Sequence, residues 1–405
     1  MSQTLRVDSN LRFTCSQCGR CCHRFDVIAS AAEIDFYKRR GADAWFRNTD
    51  GTSGDAFEAI PIAPGFHRIR KRDDGACGFL SPDNRCRIHE ELGGAKKPLT
   101  CRLFPYAFHS AADGVVVTAS FGCPTIVANQ GTSITAPESF AALESLRKEW
   151  FNVHPPISMP LQLVKGRAID TRSSRVLREQ LLVVLARESH DIRENIRRMA
   201  AILEDLTRSR VLALPDDGFA EYIALTVPHA ATKAGAPPSR DPGRIARMLQ
   251  YGFLYAVTAI RADLEHPGQS RGRLRLLRLR LLAHFHRLAP GLERVRVRAL
   301  RQRRVDINSP EIRPIVFHYL RSTLETLGAT GRPILDELSI AASYLNAACG
   351  LAAMNADAAG TDVDRAIFSQ ALMEASDVSH ARNLLLEWVL DRLSGGTDAL
   401  WILQW

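Results

Sequence analysis

The run Cys15-Ser16-Gln17-Cys18-Gly19-Arg20-Cys21-Cys22-His23 places four cysteines within eight residues. Two residues between successive cysteines let the chain turn back, so that successive sulfurs face one ion. Gly19 suits so tight a turn because it tolerates positive φ. The same turn leaves backbone N–H groups facing sulfur, which favours thiolate over thiol. A lone Cys-x2-Cys pair is a modest signal, and this density is a strong one. Outward from it lie Cys77-Gly78-Phe79-Leu80 and Cys86-Arg87-Ile88-His89. Cys101 follows within Lys97-Pro98-Leu99-Thr100-Cys101-Arg102-Leu103-Phe104-Pro105, and Cys123-Pro124 closes the set. Eight of the nine cysteines thus fall between Cys15 and Cys123, with Cys349 alone outside.

In a short secreted chain such a density reads as disulfides. This chain has 405 residues, and Met1 to Asn10 are polar, without the apolar core of a secretory signal. The cysteines therefore read as metal ligands and the expected location is the cytoplasm. No stretch approaches the roughly 18 uninterrupted apolar residues of a membrane helix. Eight thiolates exceed the four that hold one zinc or one [4Fe–4S] centre, so either there are two sites or spare thiols ring one. The spacing Cys15-x2-Cys18-x2-Cys21 matches the first three positions of a bacterial ferredoxin run, and Cys123-Pro124 echoes its remote Cys-Pro. Soft thiolates suit zinc as well as iron–sulfur. The spacing puts iron–sulfur ahead, with a purely structural zinc knot as the plainer alternative. His89, three residues after Cys86, is a candidate ligand or a surface histidine. Arg102 is a donor to a thiolate or an anionic cluster, or else the partner of an Asp or Glu.

The order Cys-x2-Cys-Gly-x-Cys-Cys, Cys-x-Phe-Leu, Cys-x-Ile-His, Lys-Pro-x2-Cys-Arg-x-Phe-Pro resembles the YkgJ family of cysteine-cluster proteins. That family is described as a zinc- or iron-chelating domain and includes the FliB-type flagellin lysine N-methylases. The resemblance covers about residues 11–125. It implies metal ligation by Cys15, Cys18, Cys21, Cys22, Cys77, Cys86 and Cys101, with Cys123 as the eighth. The overall length and the helical second half are similar to the FliB type. That similarity implies methyl transfer from S-adenosylmethionine to lysines of a protein substrate such as flagellin.

The fold class expected is α+β: a small irregular cysteine-rich domain over residues 1–130, then a mostly α-helical domain over 131–405. Composition supports a folded chain, with 46% hydrophobic and 24% charged residues. In the first part, residues 31–40 read as a short helix, 114–120 as a strand and 66–71 as another. A metal would supply stability that so small a core cannot. Residues 131–136 read as a linker into a helix starting near Pro137. Leu177, Leu181, Val184 and Leu185 keep helical spacing, as do Ile192, Ile196, Met199 and Leu203. Residues 231–242 read as a Pro/Gly-rich loop, and helices are expected over 243–263, 273–288, 310–327, 333–354, 363–375 and 378–394.

The net charge of +9 is a local matter. Twelve arginines and one acid, Glu293, lie between Arg271 and Arg304, so the rest of the chain carries about −2. That segment reads as an amphipathic core helix with a solvated arginine side, or as a patch for an acidic partner, nucleic acid or a membrane surface. Phe285 is its one aromatic besides histidines, which argues against a single-strand nucleic-acid platform. Cys349, in Ala347-Ala348-Cys349-Gly350, reads as a small buried hydrophobe, and Trp401 and Trp405 as anchors of the last helix. Two functions are expected. One is an enzyme, a metal-dependent protein modifier of the lysine methylase type. The other is a zinc-binding module without catalysis, whose helical domain binds another macromolecule.

Overall fold

A computed structural model describes residues 4–47, 51–52, 54–61, 63–157, 159–187, 191–232, 254, 257 and 305–377. Along the chain its elements are β1 (Leu5–Arg6), β2 (Arg12–Phe13), α1 (Arg20–Arg24), β3 (Ile28–Ser30), α2 (Ala31–Lys38), β4 (Phe57–Ala59) and β5 (Phe66–Ile69). Then come α3 (Arg87–Leu92), α4 (Leu99–Leu103), β6 (Tyr106–Ala111), β7 (Gly114–Ala119), α5 (Pro124–Ala128), β8 (Thr132–Ser133) and α6 (Pro137–Val153). A short pair, β9 (Gln162–Val164) and β10 (Arg167–Ala168), precedes α7 (Thr171–Leu185), α8 (Ile192–Leu206), α9 (Ser209–Leu212) and α10 (Asp216–Thr232). The described chain ends with α11 (Arg313–Glu325), α12 (Ile334–Ala359) and α13 (Arg365–Asp377). The class is α+β, with short strands and helices first and helices afterwards. Among the described residues no helix is long and apolar enough to cross a membrane.

Contacts divide the chain into two units, each assembled from separated stretches. The cysteine unit is Arg12–Ala107 with Gln130–Pro155. The helical unit is Met1–Leu11, Phe108–Asn129 and Pro156–Trp405.

In the cysteine unit β5 is the middle strand of an antiparallel sheet in the order β3-β5-β4. β2 pairs antiparallel with β8, which ties the two stretches of this unit together. The core is aromatic: Tyr37, Phe46, Phe57 and Phe79 are nearly inaccessible, alongside Ile69 and Ile88. Small alanines at 29, 42, 56 and 76 let these rings approach. Helix α2 starts where expected because Ser30 and Glu33 form a capping box. The Glu33 N–H donates to Ser30 Oγ at 3.3 Å, and the Ser30 N–H donates to Glu33 Oε2 at 2.8 Å. Ile34 and Tyr37, three apart, bury its one apolar face.

In the helical unit β1 runs parallel to β7, which also pairs with β6. Gly114 opens β7 at φ +131°, and a Cβ there would lie 2.5 Å from the Thr4 carbonyl oxygen. The N-terminal strand can dock only against a glycine. Asp170 caps α7 through the Ser173 N–H at 2.6 Å, and Asp191 caps α8 through the Arg193 N–H at 2.7 Å. The apolar stripes of both helices are buried as their spacing predicts. They pack with each other, and α7 also packs with α10 and α11. Leu181, Met199, Leu203, Leu320, Leu324 and Leu338 enclose a cavity of about 10 Å³, room for one water at most. Helix α12 runs longer than its expected 333–354, through an alanine-rich tail that ends at Gly360 with φ +68°. The expected helices over 273–288 and 378–394, the arginine-rich segment 271–304 and the terminal tryptophans lie outside the described residues. Of 243–263 only Leu254 and Val257 are described, and of the 231–242 loop only Ala231 and Thr232, which end α10.

Candidate metal centre

The leading run forms an open loop that closes into α1. Gln17 at φ 55° and Gly19 at φ 71° take the left-handed conformation on either side of Cys18. The Cys22 N–H then donates to the Gly19 carbonyl at 2.9 Å and starts the helix. Gly19 is also a contact position. A Cβ there would sit 2.9 Å from Asn84 Oδ1, in the turn that leads to Cys86. Cys15 and Cys18 are exposed on this loop, and Cys21 and Cys22 are half-buried on α1.

The second group is fastened to the first by backbone. The Cys77 N–H donates to the Cys22 carbonyl at 2.8 Å. Gly78 is needed because a Cβ there would fall 2.1 Å from the Phe46 ring. The chain then doubles back, with Leu80 opposite Cys86 in an antiparallel bridge and the Arg87 N–H donating to the Phe79 carbonyl at 2.9 Å. Ser81 holds that turn, accepting from the Arg85 N–H at 3.1 Å and donating to Asp83 Oδ1 at 2.5 Å. The helix bearing Cys101, α4, is held from three sides. The Leu99 N–H donates to Glu33 Oε1 at 2.8 Å, Thr100 Oγ1 donates to the Ile28 carbonyl at 2.7 Å, and Arg102 reaches α6. Cys22, Cys77, Cys86 and Cys101 all pack against the same aromatic core.

Burial and mutual charge set the proton affinities of several of these thiols. The Cys22 S–H donates to Cys21, which holds the Cys21 thiol down at about 7 against the opposing effect of burial, with the Lys97 charge helping. Cys22 is driven far up by that same hydrogen bond, then by burial and by the charges of Cys21, Cys77 and Cys101. Burial pushes Cys77 up to about 11, reinforced by Cys86 and Cys21. Burial also raises Cys101, with Cys77, Cys86 and Cys21 adding to it. Negative charge on one of these sulfurs thus opposes ionisation of its buried neighbours Cys22, Cys77 and Cys101, and a bound cation would offset that opposition. An ion inverts this balance by deprotonating the thiols it binds. The donor set, all soft sulfur, fits zinc or an iron–sulfur centre. Among the described residues no three His, Cys, Asp or Glu side chains stand in a ligating arrangement, so the sulfurs would have to draw closer to hold one ion. All nine cysteines are free thiols.

Cys123 lies in the helical unit, buried at the N-cap of α5. The gathering just described is made within the cysteine unit alone. Cys349, on α12, has its thiol pushed up to about 12 by burial, in keeping with a packing role. His89 is exposed on the last turn of α3, beside Gly94. Arg102 takes the plainer of its two readings. Its Nη1 and Nη2 donate to Glu149 Oε1 and Oε2 at 2.9 and 2.6 Å, and its Nε donates to the Lys97 carbonyl at 3.0 Å. Lys97 is the residue that spacing did not single out. Burial opposes its charge, but Cys86, Cys101, Cys15 and Cys22 hold the ammonium form. Its signal was present in the Lys97-Pro98 dipeptide ahead of Cys101, where a cation precedes a thiol by four residues.

Residues 14–124 match the family model CxxCxxCC, described as "Putative zinc- or iron-chelating domain". No curated protein and no solved structure matches the chain. The segment carrying the eight clustered cysteines is therefore a cysteine-cluster domain of that family. The match ends one residue past Cys123, so it takes in part of the helical unit as well.

Proposed function

We propose that this protein binds a metal through the thiolates of Cys21, Cys22, Cys77, Cys86 and Cys101, with Cys15 and Cys18 on the open loop beside them, and that the bound group is an iron–sulfur centre. One observation carries the reading: thiols spread over eighty residues of sequence converge on one core and raise or lower each other's proton affinity. When bound, the group would draw its stability from soft sulfur donors and would lock the small cysteine unit in its folded form. The chain's own residues order the ligands. Glu33 and Arg102 place Cys101, the Ser81–Arg85 turn places Cys86, and the Cys22 carbonyl places Cys77.

The decisive experiment is anaerobic purification followed by a visible spectrum and a count of iron, zinc and acid-labile sulfide. A brown protein with labile sulfide is the expected result. A colourless protein with stoichiometric zinc replaces the iron–sulfur reading with a zinc site, and a metal-free protein overturns both. The FliB resemblance extends the proposal to lysine methylation of a protein such as flagellin, with S-adenosylmethionine as donor. Calorimetric titration of the metal-loaded protein with S-adenosylmethionine tests that extension. Heat of binding supports it, and its absence leaves a metal-binding module whose helical unit serves another macromolecule.

A further inference from the structure

We propose that Arg72 is a positioning residue of the metal site: its guanidinium sets the backbone spacing between Cys77 and Cys86 before an ion arrives. The inference rests on the metal-site reading and names a residue that acts on the ion through two of its ligands.

The chain reverses direction three times around these two cysteines. In the first reversal Lys71 stands opposite Cys77 in an antiparallel bridge. The Arg72 N–H donates to the Ala76 carbonyl at 2.7 Å there, and the Gly78 N–H donates to the Arg70 carbonyl at 3.0 Å. The second follows at once, with the Leu80 N–H donating to the Cys77 carbonyl at 2.9 Å. The third is the bridge between Leu80 and Cys86. Each of these bonds closes a single turn.

The Arg72 side chain spans all three. Its Nε and Nη2 donate to Asp74 Oδ1 and Oδ2 at 3.1 and 2.5 Å, in the tip of the first turn. Its Nη1 donates to the Leu80 carbonyl at 2.8 Å, where the second turn meets the third. Asp74 is held in its own right, because its Oδ1 also accepts from the Ala76 N–H at 3.0 Å. One planar group therefore ties the turn before Cys77 to the residue opposite Cys86. The Arg72 side chain is only 11% exposed, so water competes poorly for these bonds. Groups that brace ligands from behind in this way lower the cost of ordering sulfurs around an ion. Ala76 and Phe79 lie in the aromatic core, which keeps the turns folded on its own account.

The test uses the reduced full-length chain with Co²⁺ as probe. Chelator competition gives affinity, and the sulfur-to-cobalt and ligand-field bands report the number and arrangement of bound thiolates. Wild type, Arg72→Gln, Arg72→Lys and Arg147→Gln are compared, with thermal melts to show that each is folded. Arg72→Gln is expected to bind about tenfold more weakly, the order seen when a group that orients a ligand is lost. Its bands should also shift or weaken per bound cobalt. Arg72→Lys should resemble Arg72→Gln, because one ammonium keeps the charge but cannot reach Asp74 and Leu80 as a fork. Arg147→Gln removes a comparable pair, to Glu144 on α6, and should melt lower while keeping wild-type bands. Wild-type affinity and bands in Arg72→Gln, with or without a lower melting temperature, reduce Arg72 to a structural brace and overturn the proposal. Wild-type behaviour in Arg72→Lys does the same, since charge and not the bridge would then suffice. A wild-type protein with no sulfur-to-cobalt band overturns the metal site and this inference with it. Should Arg72→Gln fail to fold, Asp74→Asn, which releases the guanidinium at one end, carries the same comparison.

Discussion

Gly19 and the cysteines around it show how much one residue can set. At φ +71° and with Asn84 Oδ1 2.9 Å from any added Cβ, Gly19 both turns the first cluster and seats it on the turn before Cys86. Gly19→Ala is expected to destabilise the cysteine unit by about 1–3 kcal/mol, from backbone strain plus the displaced contact. Urea unfolding of the two proteins checks it, and an unchanged midpoint would show that the loop relaxes freely. For the thiols, Cys21→Ser and Cys77→Ser are each expected to lose bound metal, whereas Cys349→Ser retains the wild-type metal-to-protein ratio. Equal loading in all three would mean the wrong sulfurs were chosen. The types of these residues and their order were plain from the chain. Their protonation pattern was not, because the hydrogen bond between adjacent Cys21 and Cys22 depends on side-chain directions that spacing leaves open.

Among the elements, the short helices are held by partners more than by their own propensity. Helix α4 has five residues, too few to persist alone. It survives because Glu33, already Ser30's partner in the capping box of α2, also accepts from the Leu99 N–H, and because Arg102 spans to Glu149 on α6. Glu149→Gln keeps the shape but removes the charge that Arg102 grips. A loss of about 1 kcal/mol is expected, discounted because the carboxylate is 42% exposed. Chelator competition should show weaker metal retention as well, since α4 carries Cys101. Unaltered stability and retention would mean that Glu33 and Thr100 suffice to hold α4. The longer elements were legible in advance. The periodic stripes of α7 and α8, the start of α6 at Pro137 and the β7 strand all follow from local signals of period, cap and β-branching. The length of α12 was underestimated because its alanine-rich tail has no apolar stripe, yet alanine itself favours helix.

The molecule as a whole is organised by contacts between distant stretches. The strand β1 belongs with β7, and Arg6 donates to the Glu325 and Leu327 carbonyls at 3.0 and 2.9 Å across more than 300 residues of sequence. His318 on α11 meets the Ile126 carbonyl at the end of α5 at 3.0 Å, with the Phe121 ring beside it. Burial lowers its proton affinity from the ordinary 6.5, with Arg321 acting in the same sense and Asp8 opposing. A depressed folded value means that the neutral ring contributes its stability above pH 6.5, and that this stability is lost as pH falls below 6.5 toward the folded value. Urea midpoints are expected to drop between pH 7.5 and pH 5, and the drop should shrink in His318→Gln; identical pH profiles for the two proteins would remove His318 from the account. The chain passes between its units at four points, after Leu11, Ala107, Asn129 and Pro155. Nothing local marks such a crossing, because no near-neighbour preference distinguishes a strand that stays from one that crosses. What reading the residues alone established was the chemistry: a sulfur-rich, metal-seeking segment followed by helices, since donor type, spacing and period are carried by near neighbours. What needed the folded chain was the partnership of those parts. Which thiols share one core and that Arg102 serves Glu149 both depend on packing among residues far apart in the chain, and no local preference encodes that choice.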